Sequence, residues 1–138
     1  MVADKGEDAA TENLSAVLVV GTSQITRVVV SKIVERCGLR PVAESPETAG
    51  RVLSALKPGT VILDGGADNC DCDHLFDSLS VQRRISGRNV PRVILLSIRT
   101  VGSDDLRHAS VIDAVVAKPI TPETLQPVVS RLVEAVRA

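Results

Sequence analysis

Hydrophobic residues come along this chain in short blocks separated by polar, glycine- or proline-rich breaks. Ala16–Val20 (AVLVV), Thr60–Asp64 (TVILD), Pro91–Ser97 (PRVILLS) and Ile112–Ala117 (IDAVVA) are mostly aliphatic runs of strand length, as expected of strands covered on both faces. Arg40–Glu44 reads as a further strand, short and weak. Between these runs the period changes. Ser23–Cys37 places Ile25, Val28, Val29, Ile33, Val34 and Cys37 at helical spacing and stops at Gly38. Ser45-Pro46-Glu47 has the order of a helix start, an N-cap followed by Pro at the first helical position, and that helix runs to about Leu56 before Lys57-Pro58-Gly59 breaks it. The loop Gly65–Asp71 leads to a third helix carrying Leu75, Phe76, Leu79 and Ile85. Ser103-Asp104-Asp105 caps a short fourth helix. Thr121-Pro122-Glu123 opens the last one, where Pro127 removes a backbone hydrogen bond and is expected to kink the helix.

Strands and helices in strict alternation predict an α/β domain, a doubly wound (βα)5 three-layer sandwich around a five-stranded parallel sheet. Right-handed crossovers leave few topologies, and the expected strand order is 2-1-3-4-5. In such a sheet the working crevice lies beyond the carboxyl ends of the strands, where the strand order reverses, here between strands one and three. Gly21-Thr22, Asp64, Ser97 and Lys118 all terminate strands and fall there. Residues 1–15 are acidic, poor in large apolar groups, and expected to form a disordered tail; residues 16–138 form the domain.

Composition narrows the function. The chain of 138 residues has a net charge of −1 with scattered cations, one Phe and neither Trp nor Tyr. A basic stripe and aromatic stacking platforms, the usual means of holding nucleic acid, are both missing. No apolar run approaches the ~20 residues of a spanning helix. Three cysteines, an odd number, and no secretory apolar stretch point to a reducing cytoplasm. No phosphate-binding glycine loop, dinucleotide fingerprint or Ser-His-Asp arrangement suggests an enzyme.

A carboxylate (Asp64), a hydroxyl (Ser97) and an ammonium (Lys118) converging above the sheet suit a phosphoryl group, with Asp64 as nucleophile and the other two holding the phosphoryl oxygens. With these residues at these strand ends, the chain from Ala16 to Arg137 resembles a bacterial response-regulator receiver domain, with the flavodoxin-like fold that the resemblance implies. Asp64 stands at the phospho-acceptor position, Ser97 at the Ser/Thr position, and Lys118-Pro119 matches the family's Lys-Pro, whose peptide bond is typically cis. Asp71 falls where the loop often carries an acidic residue. The resemblance implies phosphoryl transfer to Asp64 from a histidine kinase or histidine phosphotransfer protein. It also implies docking of that partner on the first helix, at Ile25, Thr26 and Val29. Val28-Val29-Val30 fits this, because successive helical residues point about 100° apart and cannot all be buried.

The departures are as specific as the matches. Receivers follow the first strand with two acidic residues that hold Mg²⁺; here Gly21-Thr22 stand in that place. Asp64, with the Gly66 carbonyl as a second ligand, is left to hold the ion, so Mg²⁺ is expected to bind weakly. Ile98 replaces a small residue beside the site, Val115 replaces the fifth-strand Tyr or Phe that reports phosphorylation, and the usual Met-Pro after the acceptor is absent. A phosphorylation-independent interaction module is therefore the alternative reading. Receivers often pair through their last two helices, a face that Pro127 and Val115 alter here. A third reading takes Cys70, Cys72 and His74 as soft-metal ligands, although a structural zinc site needs four ligands and usually wider spacing. His108 is expected at the surface.

Overall fold

A computed structural model describes residues 13–66, 72–87, 90–97 and 111–137. Its strands are β1 (Asn13–Val20), β2 (Arg40–Glu44), β3 (Pro58–Asp64), β4 (Arg92–Ser97) and β5 (Ala114–Ala117), and its helices α1 (Gln24–Arg36), α2 (Pro46–Leu56), α3 (Phe76–Ser86) and α4 (Pro122–Arg137). The five strands are parallel in the order β2-β1-β3-β4-β5, which is the expected topology. The fourth helix expected after Ser103, together with Ile98 and His108, lies outside the described residues.

The apolar runs have no wet face because each strand sends alternate side chains to two separate cores. Val17 and Val19 of β1 join Ile62, Ile94, Leu96 and Val116 beneath α1 and α4. Leu18 and Val20 join Val61, Leu63, Val93 and Leu95 beneath α2 and α3. Val30, Ile33 and Val34 of α1 are buried, whereas Ile25, Val28 and Val29 are exposed at 77%, 49% and 39%. The Val triplet thus divides between core and surface. Among the described residues no helix is long and apolar enough to cross a membrane.

Three boundaries differ from the sequence reading. β1 begins at Asn13, so residues 13–15, expected in the tail, belong to the sheet; Asn13 pairs with Pro58, and its N–H donates to the Lys57 carbonyl at 2.7 Å. The rest of the tail, residues 1–12, lies outside the described residues. β3 begins at Pro58 rather than Thr60. Lys57 takes the left-handed turn (φ 50°) that ends α2, and Pro is tolerated as the first residue of a strand, where no ladder donor is needed. Gly59 permits the close β1 contact, since a Cβ there would lie 2.8 Å from the Leu14 backbone. β5 begins at Ala114 rather than Ile112. α2 starts where expected, but the Ser45 side chain makes no capping bond to the helix. Backbone N–H groups and the Ser45 hydroxyl instead hold the Glu47 carboxyl below the ordinary carboxylate range. Ile85 lies on α3 as expected, yet it is exposed. α4 continues through Pro127 to Arg137.

At the amino end of the sheet, one carboxylate ties three elements. The Val93 N–H donates to Asp113 Oδ2 at 2.8 Å, Arg83 of α3 donates to both Asp113 oxygens at 3.2 and 3.3 Å, and Arg92 donates to Oδ1 at 3.4 Å. Arg83 Nη1 also reaches the Val111 carbonyl at 2.6 Å. Removing this anion strands two partly buried guanidinium groups, so Asp113→Ala is expected to cost about 2–3 kcal/mol in urea unfolding, more than Arg92→Ala. Thr60 presents the opposite case. Its hydroxyl is buried and makes no hydrogen bond in the structure, so Thr60→Val is expected to raise stability by about 1 kcal/mol in the same assay.

Candidate functional site

The site forms because parallel pairing brings the carboxyl ends of β1, β3, β4 and β5 to one edge. Asp64 is the last residue of β3, paired with Leu96; Ser97 ends β4, paired with Ala117. Two backbone bonds continue the ladder past the strands, from Gly65 N–H to the Leu96 carbonyl at 3.2 Å and from Lys118 N–H to the Ser97 carbonyl at 2.8 Å. They set Lys118 beside the acceptor strand. Lys118 Nζ then donates to Asp64 Oδ1 at 2.6 Å.

Asp64 is only 4% exposed, and Ser97 is wholly buried beside it on the neighbouring strand. A carboxylate taken this far out of water needs a cation and hydrogen-bond donors. Lys118 supplies the charge, and the Gly66 N–H adds a bond to the same Oδ1 at 3.0 Å. Gly66 has φ +73°, which allows the chain to turn its amide back onto the carboxylate. The Lys118–Pro119 peptide bond is cis, as the resemblance implied. The Asp64 main-chain carbonyl accepts from the Cys72 thiol at 3.5 Å, so Cys72 is anchored to Asp64 itself.

With Oδ1 held twice, Oδ2 is the oxygen that faces β1. Gly21 lies opposite: a Cβ built there would stand 3.1 Å from Asp64 Cβ and 3.5 Å from Oδ2. The position after β1 is therefore in direct contact with the Asp64 carboxylate, and glycine leaves a notch there. An acidic side chain at 21 would face Asp64. Glu44, the other carboxylate described at this edge, ends β2 and accepts from the Thr48 hydroxyl at 2.6 Å, and no group of three or more His, Cys, Asp or Glu able to hold a metal exists among the described residues. A hard divalent cation prefers several oxygen ligands, carboxylates among them. The residues present do not fit Mg²⁺ in the manner of the acidic pair. The Gly66 contribution is its amide, bonded to Asp64; Asp71 lies outside the described residues.

Arg27 was not singled out in the sequence. It reaches back from α1 and donates to the Gly21 carbonyl, fixing the β1–α1 turn from which a metal-binding pair would project. Its one sequence signal is a cation at the approach to the second turn of α1, seven positions after β1 ends. The residues expected to meet a partner do gather at this site. Ile25, Thr26 and Val29 line a groove of about 240 Å³ whose other wall is Lys118, Pro119 and Ile120. Val115, by contrast, sits on β5 with 36% of its surface exposed. Of the residues in the soft-metal reading, Cys72 is buried against the Asp64 backbone, and the exposed His74 bonds the Pro46 carbonyl through Nε2 at 2.8 Å. Cys70 lies outside the described residues.

No family model and no curated protein matches this sequence. Solved structures do. The chain is similar to the chemotaxis protein CheY4 of Vibrio cholerae, with 20% identity, a TM-score of 0.68, and coverage of 85% of this chain and 97% of that one. It is similar to the signal receiver domain of a signal transduction histidine kinase from Syntrophus aciditrophicus, with 26% identity, a TM-score of 0.70, and coverage of 88% and 92%. It is also similar to the pseudo-receiver domain of the CikA protein, with 16% identity, a TM-score of 0.65, and coverage of 89% and 97%.

The notch gives a direct test of the metal argument. Gly21→Asp combined with Thr22→Asp sets two carboxylates against Asp64, and their mutual repulsion is expected to lower stability in the presence of a chelator. Millimolar Mg²⁺ should restore it, read as a rise in melting temperature that the unmodified chain does not show.

Proposed function

We propose that this chain, a CheY-like receiver domain by its fold, acts in two-component signalling as a phosphoryl acceptor, with Asp64 the residue that is modified. The observation that carries this reading is the 2.6 Å contact between Lys118 Nζ and Asp64 Oδ1 at the carboxyl edge of the sheet. It leaves Oδ2 directed to the Gly21 notch as the nucleophile. Attack of Oδ2 on the phosphorus of a partner's phosphohistidine forms the P–O bond as the P–N bond breaks. The leaving imidazole nitrogen keeps the bonding electron pair and is neutralised by a proton from solvent. Lys118 balances the added charge on the phosphoryl oxygens, and Ser97, on the adjoining strand, is the hydroxyl assigned to hold one of them.

The groove between α1 and Lys118-Pro119 supports a protein donor, a histidine kinase or phosphotransfer protein. A helix laid across Ile25, Thr26 and Val29 would bring its histidine to the carboxylate beside them. Gly21 favours a second reading, a pseudo-receiver that binds its partner through this groove without phosphorylation. Under that reading the Asp64–Lys118 pair only maintains the fold.

The two readings separate in one experiment. Phosphoramidate, a small donor with a P–N bond, is added to the ¹⁵N-labelled chain with and without Mg²⁺. Under the acceptor reading, amide shifts are expected at Gly21, Gly65, Gly66 and Lys118, with a mass increase of one phosphoryl group that Asp64→Ala abolishes. Lys118→Ala is expected to slow the transfer about a hundredfold. An unmodified mass at millimolar Mg²⁺ assigns the chain to the second reading, in which Ile25→Glu still abolishes partner binding while Asp64→Asn does not.

A further inference from the structure

The outer face of α3 carries a side-chain stripe that the signalling site does not use. Val81 and Ile85 are exposed there at 44% and 78%. Asp77 stands in the first turn and Arg84 in the last, both exposed, and neither forms an ion pair with a described residue. Residues seven apart on an α-helix share nearly the same direction, roughly 10 Å apart along the axis, and Val81 lies between these two. Beside the stripe runs a groove of about 380 Å³ between α2 and α3, bordered by Ser54, Lys57, Asp77, Ser78 and Ile85, with the Lys57 cation at the end of α2. Its floor is fixed by Gln82 Nε2, which donates to the Leu53 carbonyl at 3.0 Å.

We propose that this face is a weak homodimer interface, in which α3 packs antiparallel against α3 of a second copy about a two-fold axis near Val81. The order of the charges selects this occupant. In an antiparallel pair, Asp77 of each copy faces Arg84 of the other, Val81 meets its own counterpart, and Ile85 enters the groove beside the partner's Ser78. A parallel pair would set Asp77 on Asp77 and Arg84 on Arg84. A partner of one charge sign would oppose one member of the pair. A two-fold contact requires a self-complementary patch, and antiparallel helices also oppose their dipoles favourably. Few apolar side chains are covered, so the association is weak, in the high-micromolar range. α1 and its groove lie on the opposite face of the sheet from α3, so the dimer leaves Asp64 and the partner groove open.

Sedimentation velocity of the full chain, from about 10 μM to 1 mM, tests this. A reversible monomer–dimer equilibrium is expected, unchanged in Asp64→Ala, which separates it from the acceptor reading. Ile85→Glu, a surface substitution whose folding is checked by circular dichroism, should leave only monomer. Asp77→Arg and Arg84→Asp are each expected to weaken the dimer about tenfold or more. An equimolar mixture of those two variants should recover it as a heterodimer, because each restores the charge that the other needs. Monomer throughout at 1 mM, an equilibrium indifferent to Ile85→Glu, or a mixture no tighter than its components would each overturn the proposal. Concentration-independent protection of the stripe would assign the groove to another segment of the same chain and overturn it as well.

Discussion

A carboxylate buried at the end of a β-strand has few ways to remain in the fold. Asp64 is almost wholly removed from water, so its charge needs a cation, and the sheet brings Lys118 from two strands away. That requirement orders much of the molecule. β4 has to lie between β3 and β5 in the register that aligns Asp64 with Leu96 and Ser97 with Ala117. The chain has to turn sharply after Asp64 so that the Gly66 amide folds back onto the same oxygen. It must also turn after Lys118, where the cis Lys118–Pro119 bond begins the approach to α4. The cost of an unpaired buried charge exceeds what most single contacts contribute, so these arrangements stand or fall together.

The two ends of the sheet use charge differently. At the carboxyl edge Asp64 meets one ammonium and an amide through Oδ1, and its second oxygen faces Gly21. At the amino edge Asp113 is surrounded by Arg83, Arg92 and the Val93 amide, with both oxygens occupied. The second arrangement is closed and joins α3, β4 and β5. The first keeps one oxygen toward the space in which chemistry or a ligand could act. Burial and pairing are common to both; what separates the two carboxylates is that, among the described residues, both Asp113 oxygens have donors and only Oδ1 of Asp64 does.

Most of the architecture was legible in the sequence because burial on both faces writes strands as continuous aliphatic runs, and those runs located β1, β3, β4 and β5, while the edge strand β2, with no buried residue, left only a weak signal. The ends were harder. Asn13 and Leu14 join β1 only because Gly59 lets the two backbones approach, a property of a residue more than forty positions away. Pro58 reads as a breaker in isolation and becomes the first residue of a strand once Lys57 has closed the helix. Ile85 fits the helical period, yet the period does not say that α3 meets the sheet through Phe76 and Leu79 and leaves its last turn outside. At the site, Asp64, Ser97 and Lys118 were found because strand ends converge in this topology. Arg27 was not, since its partner is a backbone carbonyl and carries no side-chain signature.

Gly21 is where sequence and geometry bear most directly on each other. As a letter it was a missing acidic residue. In space it is the nearest neighbour of Asp64 across the β1–β3 boundary, close enough that any side chain would touch the carboxylate. Glycine at this position therefore changes the surroundings of Asp64 as well as a ligand count. An acidic pair beside Asp64 would raise the negative charge of the edge and call for a divalent cation to offset it. Glycine removes that repulsion and lets Lys118 alone balance Asp64, with Arg27 pinning the turn that would otherwise carry the metal ligands. Among the described residues, the Asp64 charge is met by an ammonium and an amide. This is the physical ground on which a receiver fold can persist while the ion that usually serves it becomes dispensable to its stability.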